Sequence, residues 1–434
     1  AFLIKGRYLY ETKPEHYVID RFFYQEAFPN STANKVLQQV DNTMNYMGLE
    51  GHYLRRTTKE NLFQIQFGNQ YREDAFFSGL QFYQDENLVE SPKGYQNEQK
   101  YTVYDVYLKS NYQLKINRFS LKGKLELHQF VKTLNQQKSE PFVLNPKLGV
   151  SFKMNQNHKF EVSYAYNSSN AQLSEIYDSY ILTGFRSFFR GTGKHELLNA
   201  SSLMFNYQLG NWGNKFFASS FILYSKMHDY FSSSSEVHPN FVKTTRALIK
   251  DKDVLTFSSQ VDRYFSSIAT NIKLNFGYSY IFYNNAVNSS SFRAISLKNF
   301  NYGFELRSGF SGFFNYHFGT SWKYSQVATT FKESFSNHNS FLDLFFAFNE
   351  KLNVEIQTEH YSFGQPNQEQ ANYFFADFSA TYAFKKQGLR ISLIGKNLFN
   401  TTEFKEFSIS DVGSFTNGYR LFPRYVLLKV GYRF

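Results

Sequence analysis

The sequence predicts an all-β chain, a large antiparallel transmembrane β-barrel of about 19 strands filling residues 1–434 as one domain. Three observations carry this. Aromatic residues make up 20% of the 434 residues, with 51 Phe and 33 Tyr but only 2 Trp. Mean hydropathy is nevertheless −0.47, and no stretch approaches the ~18 consecutive apolar residues of a membrane helix. Finally, apolar and polar residues alternate with period two, and the connections between the alternating segments are in turn short and long. A wall with a lipid-facing apolar side, a polar lumen and aromatic girdles has all three properties.

Taken in order, the candidate strands are 1–10, 17–25, 44–57, 61–83, 99–115, 118–133, 142–154, 159–168, 197–209, 214–229, 247–264, 269–284, 291–308, 313–329, 339–349, 352–363, 372–385, 389–398 and 420–434. In 118–133, Phe119, Leu121, Leu125 and Leu127 oppose Ser120, Lys122, Lys124, Glu126 and His128. In 269–284, Ile272, Leu274, Phe276, Tyr278, Tyr280 and Phe282 oppose Asn271, Lys273, Asn275, Gly277 and Ser279. In 389–398, Leu389, Ile391 and Leu393 oppose Arg390 and Ser392. The last strand sets Val426, Leu428, Val430, Tyr432 and Phe434 against Leu427, Lys429, Gly431 and Arg433. The polar rows, with Asn353, Glu355 and Gln357 among them, are expected to hydrate a lumen.

Short connections are expected near Thr58-Lys59-Glu60, Ile116-Asn117, 155–157, 210–213, Ser266-Ser267, 309–312, Glu350-Lys351 and 386–388, and long ones at 26–43, 84–98, 169–196, 230–246, 364–371 and 399–419. That segregation fits tight periplasmic turns and large extracellular loops. Counted back from a periplasmic C-terminus, 19 strands would start strand 1–10 on the extracellular side. An odd count of that kind predicts missing upstream strands, three of them if the full barrel has 22.

Eight prolines in the chain suit a backbone that is mostly paired in a sheet. The absence of cysteine excludes disulfides and thiolate metal sites. The net charge of +11 is scattered singly rather than in blocks, which argues against nucleic acid. No nucleophile motif accompanies the His228-Asp229 pair, so no catalytic residues, metal site or cofactor are expected.

The terminal strand resembles the aromatic-ended signal by which outer-membrane barrels are handed to their assembly machinery. Gly395-Lys396-Asn397-Leu398-Phe399-Asn400-Thr401, with Asp377-Phe378-Ser379-Ala380-Thr381-Tyr382 before it and Pro423-Arg424-Tyr425 through Tyr432-Arg433-Phe434 after it, resembles the C-terminal strands of TonB-dependent outer-membrane receptors, SusC-like and related Bacteroidota members included. The segment 157–164 followed by a long loop is similar to the same barrel. The resemblance implies location in the bacterial outer membrane and energised uptake of a scarce solute. It implies outer-membrane lipid and lipopolysaccharide, the barrel assembly machinery, a TonB complex and a surface lipoprotein as partners. The family's N-terminal plug and TonB box are not found, so the chain reads as the C-terminal barrel portion of a longer receptor. A passive porin and a structural or partner-binding barrel are the alternatives.

Substrate contact is expected from the extracellular loops. Arg186, Phe188, Phe189, Arg190 and Lys194 combine cations, rings and glycines in one loop. In a second loop Asp411 and Arg420 are the candidates. The packing alternative is that Phe185, Phe188 and Phe189 lie under the first loop and hold it over the mouth.

Overall fold

The computed structural model describes residues 1–57, 61–210, 213, 215–288, 290–364, 371–384, 388–411 and 413–432. Along them run β1 (Phe2–Ile19), β2 (Lys35–Arg56), β3 (Leu62–Gln84), β4 (Asn87–Glu90), β5 (Gln96–Ile116), β6 (Phe119–Leu134), β7 (Gln137–Ser139), β8 (Phe142–Lys153), β9 (His158–Asn170), β10 (Ile181–Gly184), β11 (Ser187–Arg190) and β12 (Leu197–Gly210). They continue with β13 (Phe216–Val237), β14 (Val242–Phe265), β15 (Thr270–Val287), β16 (Arg293–Ser308), β17 (Phe314–Ala328), β18 (Lys332–Ala347), β19 (Leu352–Gly364), β20 (Ala371–Phe384), β21 (Leu389–Lys396), β22 (Glu403–Ile409), β23 (Ser414–Arg420) and β24 (Tyr425–Tyr432). All but β22 and β23 belong to one 22-stranded sheet.

Eighteen of these strands make the wall: seven before the loop at 171–196 (β1, β2, β3, β5, β6, β8, β9), ten from β12 to β21, and β24. Each is antiparallel to the next, in chain order. The fold class is as expected, but the strand count is corrected. Segment 1–10 and the start of segment 17–25 are a single strand, β1, which runs through Glu11-Thr12-Lys13-Pro14-Glu15-His16 and ends at Ile19, with Pro14 facing Asp41 in its register; residues 20–25 are loop. The register with β2 runs unbroken through Pro14, so the polar run 11–16 is strand and not a connection. An even number of wall strands starts β1 on the side where β24 ends. The wrong-side start expected from 19 strands is therefore not observed. Among the described residues β1 and β24 are not hydrogen-bonded to each other.

Loop positions also shift. The long connection expected at 230–246 is mostly strand, with only His238-Pro239-Asn240-Phe241 between β13 and β14. That at 26–43 is a loop over 20–34, because Lys35 already starts β2. Polar runs such as Ser232-Ser233-Ser234-Ser235 look like loop but pair with Ala247-Arg246-Thr245-Thr244 above the membrane, where neither face needs to be apolar. The turns expected at 58–60, 211–212 and 386–387 lie outside the described residues, as do Arg433 and Phe434.

The register sorts side chains onto two faces. Outward, Phe119–Phe152, Phe152–Phe160 and Phe160–Tyr207 ring pairs at 4.7, 6.4 and 4.7 Å form a ladder beside the short turns. A second outward ladder, Tyr302–Trp322–His338–His360–Phe374, runs near the long-loop end, with ring separations of 5.1, 4.8, 5.8 and 6.4 Å. These are the two girdles of a membrane barrel. Val426, Leu428, Val430 and Tyr432 lie on the outward face of β24, 60–68% exposed. The opposite face carries Lys273–Glu305, 3.4 Å apart, His317 between Glu305 and Asp343, and Lys396–Asp377 at 2.6 Å. A spanning strand needs only ~9–11 residues. β2, β3, β13 and β14 have 22, 23, 22 and 24, so their long-loop ends stand clear of the membrane.

Candidate functional site

Two segments at the long-loop end fold back over the polar face from different parts of the wall. The first is the loop 171–196 with its hairpin β10–β11. Its backbone is tied to the wall at β2 and β5: Leu182 N–H donates to Gln38 Oε1 at 2.9 Å, and Ser179 N–H to Asn97 Oδ1 at 3.0 Å. Eight wall strands from β2 and six from β5, the same loop takes β14 as a neighbour. β11 pairs in parallel with Val242–Thr245, Val242 N–H donates to the Arg186 carbonyl at 2.7 Å, and the Tyr180 hydroxyl meets Thr245 Oγ1 at 2.9 Å. The hairpin β13–β14 leaves the wall to make this contact. Its register is interrupted at His228 and Asp251, where Asp251 has φ 64, and β14 pairs with β15 only from Asp253 onward.

Where these segments meet, an aromatic core forms outside the membrane. Phe22, Tyr24, Phe82, Tyr95, Phe188 and Phe241 are buried together with Leu80, Leu182 and Val36. Tyr24 lies 5.6 Å from Phe22, 5.0 Å from Phe188 and 6.0 Å from Phe241, mostly edge-on. Each buried ring contributes roughly 1.5–3 kcal/mol, with edge-to-face pairs adding about 0.5–1.5 kcal/mol. This core makes the loop cover a packed unit rather than a set of independent tethers. Burial pushes the Tyr24 phenol up, and that of Tyr177, stacked on Phe76 at 4.3 Å, up to about 12. Gly191 allows the loop to pass close to itself, since a Cβ there would sit 2.5 Å from the Glu175 carbonyl oxygen.

The second cover is the hairpin β22–β23. Phe404 inserts among Tyr361, Phe363, Tyr373 and Phe375 at 5.5, 5.5, 4.9 and 6.1 Å, all on the lumenal rows of β19 and β20. Its tip is latched to β15 and β16: Arg293 Nη2 donates to Asp411 Oδ2 at 2.9 Å, and Asn285 Nδ2 to the same oxygen at 2.5 Å. Its base is clasped by Asn397 and Asn400, both with positive φ (50 and 57). Asn397 Nδ2 donates to the carbonyls of Thr401 and Phe422 at 2.8 and 2.9 Å, its Oδ1 accepts from Thr401 N–H at 2.9 Å, and Asn400 Oδ1 accepts from Arg424 N–H at 3.0 Å. The Asn-Leu-Phe-Asn segment is thus the device by which the chain leaves the wall for the lumen and returns.

The expected contact residues divide accordingly. Arg186, Arg190 and Lys194 are exposed on the outer side of the first cover, with the Arg186 guanidinium 5.2 Å from the Phe185 ring and that of Arg190 5.9 Å from Tyr180. Phe188 is 1% exposed within the aromatic core, and Phe189 lies under the Arg246 guanidinium at 5.2 Å. Asp411 is held by Arg293, and Arg420 faces Glu403 in the hairpin register. The sequence reading missed the clasp, the latch residues Asn285 and Arg293, and the loop core around Tyr24. Only the two asparagines of the motif signalled the clasp.

No protein-family model matches the chain, and no curated protein is similar to it in sequence. Among solved structures it is similar to the copper transporter OprC, at 9% identity and TM-score 0.39, covering 99% of this chain and 80% of that one. It is also similar to the ferric yersiniabactin uptake receptor FyuA from Yersinia pestis (10%, 0.40, 91% and 62%) and to the siderophore receptor PirA from Acinetobacter baumannii (11%, 0.42, 91% and 59%). The chain spans about three fifths of the length of these last two.

Proposed function

We propose that this chain is the wall and mouth of an outer-membrane receptor that takes up a scarce solute, using energy delivered by a TonB complex. The observation that carries this reading is the double cover. A passive pore gains nothing from an extracellular aromatic core and a latched hairpin that both fold onto its polar lumenal face. A receptor does, because it must hold a rare ligand at a closed mouth and open only when driven. The outward girdles and the long protruding strands support an outer-membrane location. Cargo contact is assigned to the exposed cations Arg186, Arg190 and Lys194, with Phe188, Phe189 and Asp411 holding the covers in position.

That β1 and β24 do not pair with each other among the described residues bears on the same reading. In hydrocarbon an unsatisfied backbone group costs several kcal/mol, so both edges need a partner. Even parity allows β1 to close on β24 directly or strands to be added in pairs, and the 22-strand barrel expected for such a receptor requires four. The test is conductance in a planar bilayer. The unaltered chain should pass little steady current, and deletion of 403–420 should raise it several-fold. A steady open channel indifferent to that deletion would identify a passive porin.

A further inference from the structure

The lumenal face of β6, β8 and β9 holds more lysine than its own carboxylates neutralise. The register puts Lys122 and Lys124 of β6, Lys147 and Lys153 of β8 and Lys159 of β9 on that face, together with Glu126 and Glu161. Glu126 lies 2.6 Å from Lys124, and Glu161 is 3.2 Å from Lys159 and 3.7 Å from Lys122. Among the described residues Lys147 and Lys153 have no carboxylate within ion-pair distance. Two of the pairings are direct oppositions of like charge, Lys124 against Lys147 and Lys153 against Lys159. Such cross-strand pairs destabilise a sheet. Hydration of the lumen does not require them, since Ser120, Ser151 and Ser163 on the same rows are polar without charge. Across the barrel the balance differs: Lys273, His317 and Lys396 each have a carboxylate partner.

We infer that this lysine row is a binding track for multivalent oxyanions with two stations, one between Lys124 and Lys147 and the other, six strand residues or about 20 Å along β8, between Lys153 and Lys159, where a bound anion cancels the repulsion. The row is open to the lumen, and Gly149 opposite Lys122 leaves the surface between the lysines shallow. Only the solute's role as cargo rests on the receptor reading. Anion binding in a barrel that conducts passively would overturn that reading and leave this site standing.

The experiment uses the full chain in detergent micelles, with citrate and inorganic pyrophosphate titrated separately and spermidine as the cationic control. Citrate or pyrophosphate is expected to bind and to raise the thermal midpoint, with affinity falling as salt screens the charges. Lys124→Gln combined with Lys147→Gln should raise the midpoint without anion and weaken anion binding about tenfold or more. Lys153→Gln alone should weaken several-fold the binding at the second station and leave the first unchanged. Lys35→Gln, outside the lumen beside Asp20, should change neither. The proposal is overturned if neither anion binds, if spermidine binds as well as they do, or if the lumenal variants bind both anions as tightly as the unaltered chain.

Discussion

Asn397 shows what a single residue can fix. Its φ of 50 lies in the left-handed region, where asparagine is tolerated and a Cβ without a local hydrogen bond costs roughly 1–2 kcal/mol. Its side chain also closes three hydrogen bonds across the base of the β22–β23 hairpin. The two contributions are separable. Asn397→Gly keeps the backbone conformation and loses the bonds; Asn397→Ala loses both. Amide hydrogen exchange over 403–420 should rise in both variants, with Asn397→Ala the larger by about 1 kcal/mol of local stability. Equal protection in the two variants and the unaltered chain would mean that the hairpin is held by Phe404 and Asp411 alone. The motif was legible in the sequence as a resemblance; its mechanical reason was not, because Phe422 is 25 residues downstream.

At the level of elements, the loop cover behaves as a small domain built on strand ends. Phe188 stands at its centre, touching Tyr24, Tyr95 and Phe241 at 5.0, 5.4 and 5.9 Å. Phe188→Ala should cost the cover about 3–5 kcal/mol and leave the membrane wall intact. Limited proteolysis should then cut within 171–196 and 20–34 together, since both lose the same core. Cleavage confined to one of them would disprove a shared unit. Strands with strict alternation, such as β6 and β15, were readable from sequence to within a few residues. The inward-folding parts were not. The residues of 20–34 and 181–190 have no period, and their partners lie some sixty to two hundred positions away, where local pattern carries no information. The same limit split β1 between residues 10 and 17, because the polar run 11–16 is held as strand by its pairing with residues 39–44 of β2.

For the whole molecule, the decisive property is which end of the sheet faces out. The girdles, the alternation of short and long connections, and the two covers predict that turns such as 266–269 face the periplasm and tips such as 238–241 face outward. The absence of cysteine makes the answer measurable without background. Asn240→Cys, in the tip between β13 and β14, should react with a membrane-impermeant maleimide on intact cells. Ser267→Cys, in the turn between β14 and β15, should react only after the outer membrane is permeabilised. The two sites are joined by the 24 residues of β14, so one strand reports both sides. Inverse labelling would reverse the barrel, put the covers in the periplasm and remove the basis for the receptor reading. Labelling of both sites on intact cells would mean that β14 does not cross a membrane. Among the described residues β1 and β24 do not pair with each other, and strands added between them in pairs would not change the sidedness. Orientation is therefore the property on which the reading of every loop depends, and the pair of cysteines tests it directly.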